Sequence, residues 1–254
     1  MSDTQGNFVW YELMTSDVNA AVGFYKDIVG WGTQAFEGGT EPYLMWTAGE
    51  TPIGGVLPLT DELKKTGAPP HWIAYVTADD VDALTKKAES LGAKTSVPPR
   101  DIPTIGRFSV IADPHGAAIA LFKPSGTGMQ RPAEVPDGHV SWHELVSDDL
   151  ESAFRFYSQL FGWQKTDAIT GPMGIYPMYG KGGRTFGGMM TKPKDYPAPP
   201  HWLYYVKVKD LDAALARVKK ADGKVWNGPM EVPGGDRVAQ CVDPQGATFA
   251  LHGK

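Results

Sequence analysis

Two glutamates sit in nearly matching surroundings, Glu12 in "WYEL" and Glu144 in "WHEL". Burial among bulky apolar neighbours disfavours the charged form of a carboxyl group and raises its pKa, which suits it to accept a proton as a general base. Each glutamate follows a tryptophan, Trp10 or Trp142, by two residues, so in a strand each pair shares one face. Other chemistry-bearing residues are duplicated too. His71 and His201 stand in "PPHW", Tyr75 and Tyr205 four residues further on, and Arg107 and Arg237 six residues before a "DP" turn. A carboxylate paired with arginine is a structural alternative to the general base, with Arg107 and Arg237 as the expected partners of Glu12 and Glu144. For His71 and His201 the readings are an imidazole anchoring the start of a strand, a polar group facing a ligand, or a metal ligand.

Bulk composition excludes several functions. The net charge of −5 argues against nucleic acid or an anionic membrane as partner, since both reward a basic surface. No apolar stretch approaches the roughly 18 residues needed to cross a bilayer, and "MSDTQGN" lacks the apolar core of a signal peptide. Cys241 is the only cysteine, which leaves no intrachain disulfide and no multi-cysteine zinc site. A reducing cytoplasm is the expected location. "GTGMQRP" and "YGKGGR" lack P-loop spacing and read as turns.

The chain repeats itself. "WYELMTSDVNAAVGFYKDIVGW" answers "WHELVSDDLESAFRFYSQLFGW" at an offset of 132, "IGG" answers "FGG" at 133, and "ADPHGAAIALF" answers "VDPQGATFALH" at 130. "GAPPHWIAYV" likewise returns as "PAPPHWLYYV". Within each half "FVWYELM" alternates like a strand, and Val18, Ala21, Val22, Tyr25 and Val29 recur at helical spacing. Ser16 or Asp17 can cap that helix, and Gly30 can end it. Leu150, Ala153, Phe154, Tyr157 and Phe161 trace the same stripe up to Gly162. The Pro-Pro segment then restarts the order, with a strand predicted over Trp72–Thr77, a helix carrying Val81, Leu84, Ala88 and Leu91, and strands over Arg107–Ala112 and Ala117–Phe122. Proline cannot continue a ladder, so it ends one unit where the next begins. The fold class is α+β: four βαβββ units, at about 7–60, 70–124, 139–192 and 200–252. They make domains over 1–124 and 139–254, joined by a Pro- and Gly-rich linker at 125–138.

The βαβββ repeats, the helix end "FY..(L/I)(V/F)GW" and the "DP.G" turn before a terminal strand resemble the vicinal oxygen chelate superfamily of glyoxalase I, bleomycin-resistance proteins and extradiol dioxygenases. The tandem arrangement with "W.EL.(T/S).D", "GG" and "PHW" is similar to its lactoylglutathione-lyase-related branch. The resemblance implies two glyoxalase-like domains, each a curved sheet around a cavity, and a metal held by His, Gln and Glu on the first and last strands of the units. Carried onto this chain, those positions fall on Trp10 and Trp142, Ala120 and Ala250, Ile73 and Leu203, and within "IGGVLP" or "FGGMMT". None offers a side-chain donor to a divalent ion, so no cofactor is expected, a divalent metal being the alternative.

On that frame Glu12 and Glu144 are the candidate catalytic carboxylates. Trp10, His71, Tyr75, Arg107, Trp142, His201, Tyr205 and Arg237 are the candidate substrate-binding residues. His143 reads as structural, His115 as an exposed turn residue, and His139 and His252 stand lower among the candidates. The first half is slightly favoured for an open site, because Asp236 stands beside Arg237 in the second. Two functions fit: metal-independent lyase, isomerase or hydroxylase-like chemistry on a small carbonyl or aromatic compound, or sequestration of a small molecule without turnover. A tandem chain already holds the pairing that single-repeat relatives reach by dimerising, so a monomer or weak homodimer is expected.

Overall fold

The computed structural model describes every residue except 1, 3, 39–41, 66, 127–133, 172–173 and 197. Much of the expected linker, 127–133, and most of "GTGMQRP" therefore lie outside the described residues. The first half runs β1 (Phe8–Thr15), α1 (Val18–Val29), β2 (Gly32–Phe36), β3 (Tyr43–Ala48), β4 (Thr51–Pro58) and α2 (Asp61–Lys65). It continues with β5 (His71–Thr77), α3 (Val81–Ser90), β6 (Lys94–Ile102), β7 (Gly106–Ala112) and β8 (Ala118–Pro124). The second half runs β9 (Val140–Ser147), α4 (Leu150–Phe161), β10 (Gln164–Gly171), β11 (Gly174–Lys181) and β12 (Arg184–Thr191). It ends with β13 (His201–Lys207), α5 (Leu211–Lys220), β14 (Lys224–Glu231), β15 (Arg237–Val242) and β16 (Thr248–Gly253). The βαβββ order is present four times, and the short α2 is an element the periodicity did not suggest.

Each half forms one curved eight-stranded sheet, ordered β2-β3-β4-β1-β5-β8-β7-β6 and β10-β11-β12-β9-β13-β16-β15-β14. The major helices begin alike. Asp17, Asp80, Asp149 and Asp210 each accept a hydrogen bond from the backbone N–H three residues on, which satisfies a donor the helix itself leaves open. Gly30 and Gly162 then end α1 and α4 in the left-handed region, at φ 76° and 77°. The edge strands β6 and β14 contain Pro98, Pro99 and Pro229, and bulges interrupt their pairing, as befits edges.

By internal contacts the chain forms two compact units, one of 1–9, 73–130 and 142–202, the other of 10–72, 131–141 and 203–254. Each draws on both halves of the sequence, and each has a core of aromatic rings. In the first unit Phe8 stacks on His143 at 3.8 Å, and Tyr157 packs against Trp163 and Trp202 at 5.4 and 5.2 Å. In the second, Tyr25 meets Trp31, Trp46 and Trp72 within 5.7 Å. Burying several such rings dominates the apolar driving force. No helix among the described residues is long and apolar enough to cross a membrane.

The repeated motifs have jobs in these cores. The tryptophan of each "GW" donates its indole N–H to a backbone carbonyl, Trp31 to Gly138 and Trp163 to Gly6, at 2.6 and 2.9 Å. The tryptophan of each "PHW" donates to the tyrosine of an "FY", Trp72 to Tyr25 at 3.0 Å and Trp202 to Tyr157 at 3.1 Å. Those tyrosines donate to the aspartate of a "DP.G" turn from the opposite half of the sequence, Tyr25 to Asp243 at 3.1 Å and Tyr157 to Asp113 at 3.0 Å.

Candidate functional site

The strands that carry the two glutamates lie parallel to the strands that carry the paired glycines. β1 pairs with β4 so that Glu12 stands opposite Gly55 and Tyr11 opposite Gly54. In β9 and β12, Glu144 stands opposite Gly188 and His143 opposite Gly187. The first glycine of each pair lets the neighbouring backbone close in, since a Cβ at Gly54 or Gly187 would overlap the carbonyl of Tyr11 or His143. The second makes room for a tyrosine ring, because a Cβ at Gly55 or Gly188 would overlap Tyr43 or Tyr176.

Those tyrosines, from β3 and β11, complete the site. Tyr43 accepts a hydrogen bond from Trp10 Nε1 at 2.8 Å and donates to Glu12 Oε1 at 2.7 Å. Tyr176 accepts from Trp142 Nε1 at 3.0 Å and donates to Glu144 Oε2 at 2.8 Å. One phenol bridges each tryptophan to its glutamate, so the two side chains share a face, as strand parity predicts. Both glutamates are 7% exposed. Burial and then the charge of Glu12 push the pKa of Tyr43 far above that of a free phenol, so it remains a donor to the carboxylate at any physiological pH. Tyr43 and Tyr176 escaped the sequence reading, although the 133-residue offset that carries Gly55 onto Gly188 also carries one tyrosine onto the other.

The histidines of "PPHW" anchor strand starts. His71 Nδ1 lies 2.8 Å from the carbonyl of Pro69, and His201 Nδ1 2.8 Å from that of Pro199. A carbonyl can only accept, so Nδ1 carries the proton in the neutral ring and Nε2 presents its lone pair. For His201 that lone pair faces the Tyr196 hydroxyl at 3.5 Å, and the two rings stack at 5.8 Å. Burial, with Lys192 nearby, holds the His201 pKa below the ordinary imidazole value, so the ring is neutral at pH 7. Burial and the charge of Glu144 push the Tyr196 phenol up to about 12. Tyr196 has no tyrosine counterpart in the first half, where the matching position is Thr66.

The arginines correct an expectation. Neither is the partner of a glutamate as proposed from sequence: Arg107 donates to both oxygens of Asp82 at 2.6 and 2.9 Å and to Asp101 at 2.9 Å. Arg237 forks onto Asp212 at 3.1 and 2.9 Å. Asp82 and Asp212 lie in the first turns of α3 and α5, where a carboxylate also meets the helix dipole, and the planar guanidinium fits it bidentately. The basis for favouring the first half disappears with this, because Asp236 binds His252 rather than damping Arg237. Tyr75 and Tyr205 are core residues at 6% and 3% exposure. Tyr75 packs on Phe108 and Phe122, while Tyr205 accepts from Gln240 Nε2 at 3.1 Å. His143 is fully buried, as expected of a structural residue, but His115 is half-buried rather than exposed. Among the described residues no three of His, Cys, Asp and Glu converge as a metal site would require.

Replacing Tyr176 with Phe removes its bonds with Trp142 and Glu144, the second to a charged group. We expect urea unfolding to show a loss of about 1.5–3 kcal/mol, with a change in tryptophan emission from Trp142.

Tandem βαβββ repeats, each half one curved eight-stranded sheet, with a tyrosine-held glutamate on the first strand of each, define a duplicated fold of the glyoxalase type. The sequence profile of the Glyoxalase/Bleomycin resistance protein/Dioxygenase superfamily matches residues 7–121 and 138–251, and the chain belongs to that superfamily. It is 33% identical to a putative glyoxylase CFP32 of Mycobacterium bovis, over 97% of this chain and 94% of that protein. It is 32% identical to the anthracycline biosynthesis protein DnrV of Streptomyces peucetius, over 95% of this chain and 91% of that protein. Among solved structures it is similar in fold to the Mn(II)-bound glyoxalase of Novosphingobium aromaticivorans, with a TM-score of 0.65, 16% identity, and coverage of 98% of this chain and 82% of that one.

Proposed function

We propose that the protein binds a small carbonyl-bearing or aromatic compound and moves a proton on it without a metal ion, as a lyase or isomerase. The observation that carries this reading is the nearly buried glutamate held by a tyrosine hydroxyl in each half, at 2.7 and 2.8 Å. A carboxylate so placed can take a proton from carbon beside a carbonyl and return it elsewhere on the substrate, while a nearby phenol steadies the oxygen that gains charge. The second half offers the fuller set, with Tyr196 and neutral His201 beside the Glu144 module. The donor chemistry does not fit a catalytic metal: tryptophan, isoleucine, leucine and alanine hold the positions where the superfamily's ligands would stand. The names of two relatives, a putative glyoxylase and an anthracycline biosynthesis protein, support a carbonyl or polycyclic aromatic substrate. Location in the cytoplasm, and a monomer or weak homodimer without nucleic acid or membrane as partner, remain part of this proposal.

Sequestration without turnover is the second reading. It is favoured by the half-buried aromatic side chains of Trp10 and Trp142 beside the glutamates, and by the fact that each glutamate is already held. One experiment separates them. EDTA-treated protein is given the hemithioacetal of methylglyoxal and a set of hydroxyanthraquinones, and both product and binding are followed for wild type, Glu12→Gln and Glu144→Gln. We expect turnover by the metal-free protein, falling about 100-fold or more in Glu144→Gln with ligand affinity nearly kept. Binding without product in any variant supports sequestration. Turnover that returns only on reloading a divalent ion overturns the metal-free mechanism.

A further inference from the structure

The second half holds a polar triplet that the first half lacks. Ser141 Oγ on β9 lies 2.9 Å from His252 Nδ1 on β16, and His252 Nε2 lies 3.0 Å from Asp236 Oδ2, just before β15. In repeat register the same positions are Val9, Phe122 and Gly106. The three differ together: a Cβ at Gly106 would meet the Lys123 carbonyl and, at 2.8 Å, the Phe122 ring. Where the first half fits a phenyl ring against a glycine, the second fits an imidazole against a carboxylate and adds a hydroxyl on the imidazole's other nitrogen.

We propose that Ser141 is an activated nucleophile that accepts acyl groups from small activated esters, with His252 as its base and Asp236 as the group that orients the base. An ionised carboxylate can only accept, so His252 Nε2 carries the proton and donates it to Asp236. Nδ1 of the neutral ring then has a lone pair directed at the Ser141 hydroxyl. As Ser141 Oγ bonds to the ester carbonyl carbon, its proton passes to Nδ1, the carbonyl π pair moves onto oxygen, and Asp236 steadies the imidazolium. Collapse of that intermediate breaks the bond to the alcohol or phenol, which leaves with the proton from Nδ1. Water then attacks the acyl-serine by the same route, releasing the acid and restoring the hydroxyl. The ring is turned end for end relative to the familiar serine-protease order, but the relay requires only that one nitrogen accept from serine while the other donates to the carboxylate.

Ser141 is half-buried. His252 and Asp236 side chains are 23% and 30% exposed. The turn leading into Asp236 contains Gly234 and Gly235, with open space where a side chain would project from either. The Ser141 hydroxyl also lies 3.2 Å from the Tyr205 carbonyl, a second acceptor for its proton. The proposal is independent of the Glu144 chemistry.

The test is reaction of the whole protein with a fluorophosphonate probe, followed by intact mass and peptide mapping. We expect a single adduct on Ser141, absent after denaturation, absent in Ser141→Ala, and formed about 100-fold more slowly in His252→Asn. Mapping on wild type needs no variant, so misfolding of a substituted protein does not blunt it, and Asp236→Asn gives a second, milder reduction in rate. Absence of an adduct on Ser141, or equal labelling rates in wild type and His252→Asn, overturns the proposal.

Discussion

Gly187→Ala is expected to lower stability by about 3 kcal/mol or more, while the adjacent Gly188→Ala keeps the fold and displaces Tyr176 from Glu144. A Cβ at Gly187 meets the carbonyl and backbone of His143, and that backbone is fixed by the parallel pairing of β12 with β9. Relief requires separating two central strands, which breaks ladder hydrogen bonds and exposes the packed core beneath them. A Cβ at Gly188 meets first the Tyr176 ring, which is half-buried and can swing out. The cost is then the bonds from Trp142 and to Glu144, not the sheet. Urea melts should therefore separate two neighbouring glycines strongly, and tryptophan emission from Trp142 should change in Gly188→Ala although its far-UV CD spectrum is native. Gly54→Ala and Gly55→Ala repeat the design in the first half, against the Tyr11 carbonyl and Tyr43. Equal midpoints for Gly187→Ala and Gly188→Ala would refute the assignment of these roles.

The contrast marks what the sequence could tell. Helix stripes, aspartate caps and glycine stops are local signals, so α1 and α4 were legible nearly to the residue. Strand parity placed Trp10 with Glu12 and Trp142 with Glu144 on common faces, which holds because period two needs no knowledge of the neighbours. The partner of each glutamate was not legible in the same way. Tyr43 and Tyr176 reach it from another strand, and their reach depends on a glycine whose lack of a side chain reads as an absence of chemistry. The arginines failed for a related reason. Spacing before "DP" gave their strand, but the carboxylates they grip lie on α3 and α5, and Asp82 and Asp212 look in sequence like ordinary first-turn acids. "FY", "HW" and "DP" were legible as marks of a family. That they touch one another joins opposite halves of the sequence, which no periodicity reports.

Tyr157→Phe tests that connection, and its effect should depend on pH in a stated direction. The Tyr157 hydroxyl accepts from Trp202 and donates to Asp113, whose other oxygen accepts the backbone N–H groups of His115 and Ala117. Removing it strands a buried indole donor and withdraws one bond from a buried carboxylate, a loss of about 2–4 kcal/mol at pH 7. Burial holds the pKa of Asp113 above its ordinary value, although its hydrogen bonds, including the one from Tyr157, pull the other way. The native state therefore binds this proton more tightly than the unfolded chain. Its contribution to stability is fully present below the unfolded carboxylate pKa, near 3.9, and is lost as pH rises through the higher folded value. The hydroxyl matters most when Asp113 is ionised, so the stability gap between wild type and Tyr157→Phe should be widest at neutral pH and narrow as Asp113 takes up its proton. Tyr25→Phe should behave alike through Asp243, whose pKa burial also raises. Chemical denaturation of the three proteins between pH 4.5 and 8 reads the gap directly, each variant being compared with wild type so that other titrating groups cancel. A gap that stays constant over that range would mean that the aspartates keep one charge state throughout, and would overturn the coupling of the tyrosine hydroxyls to their titration.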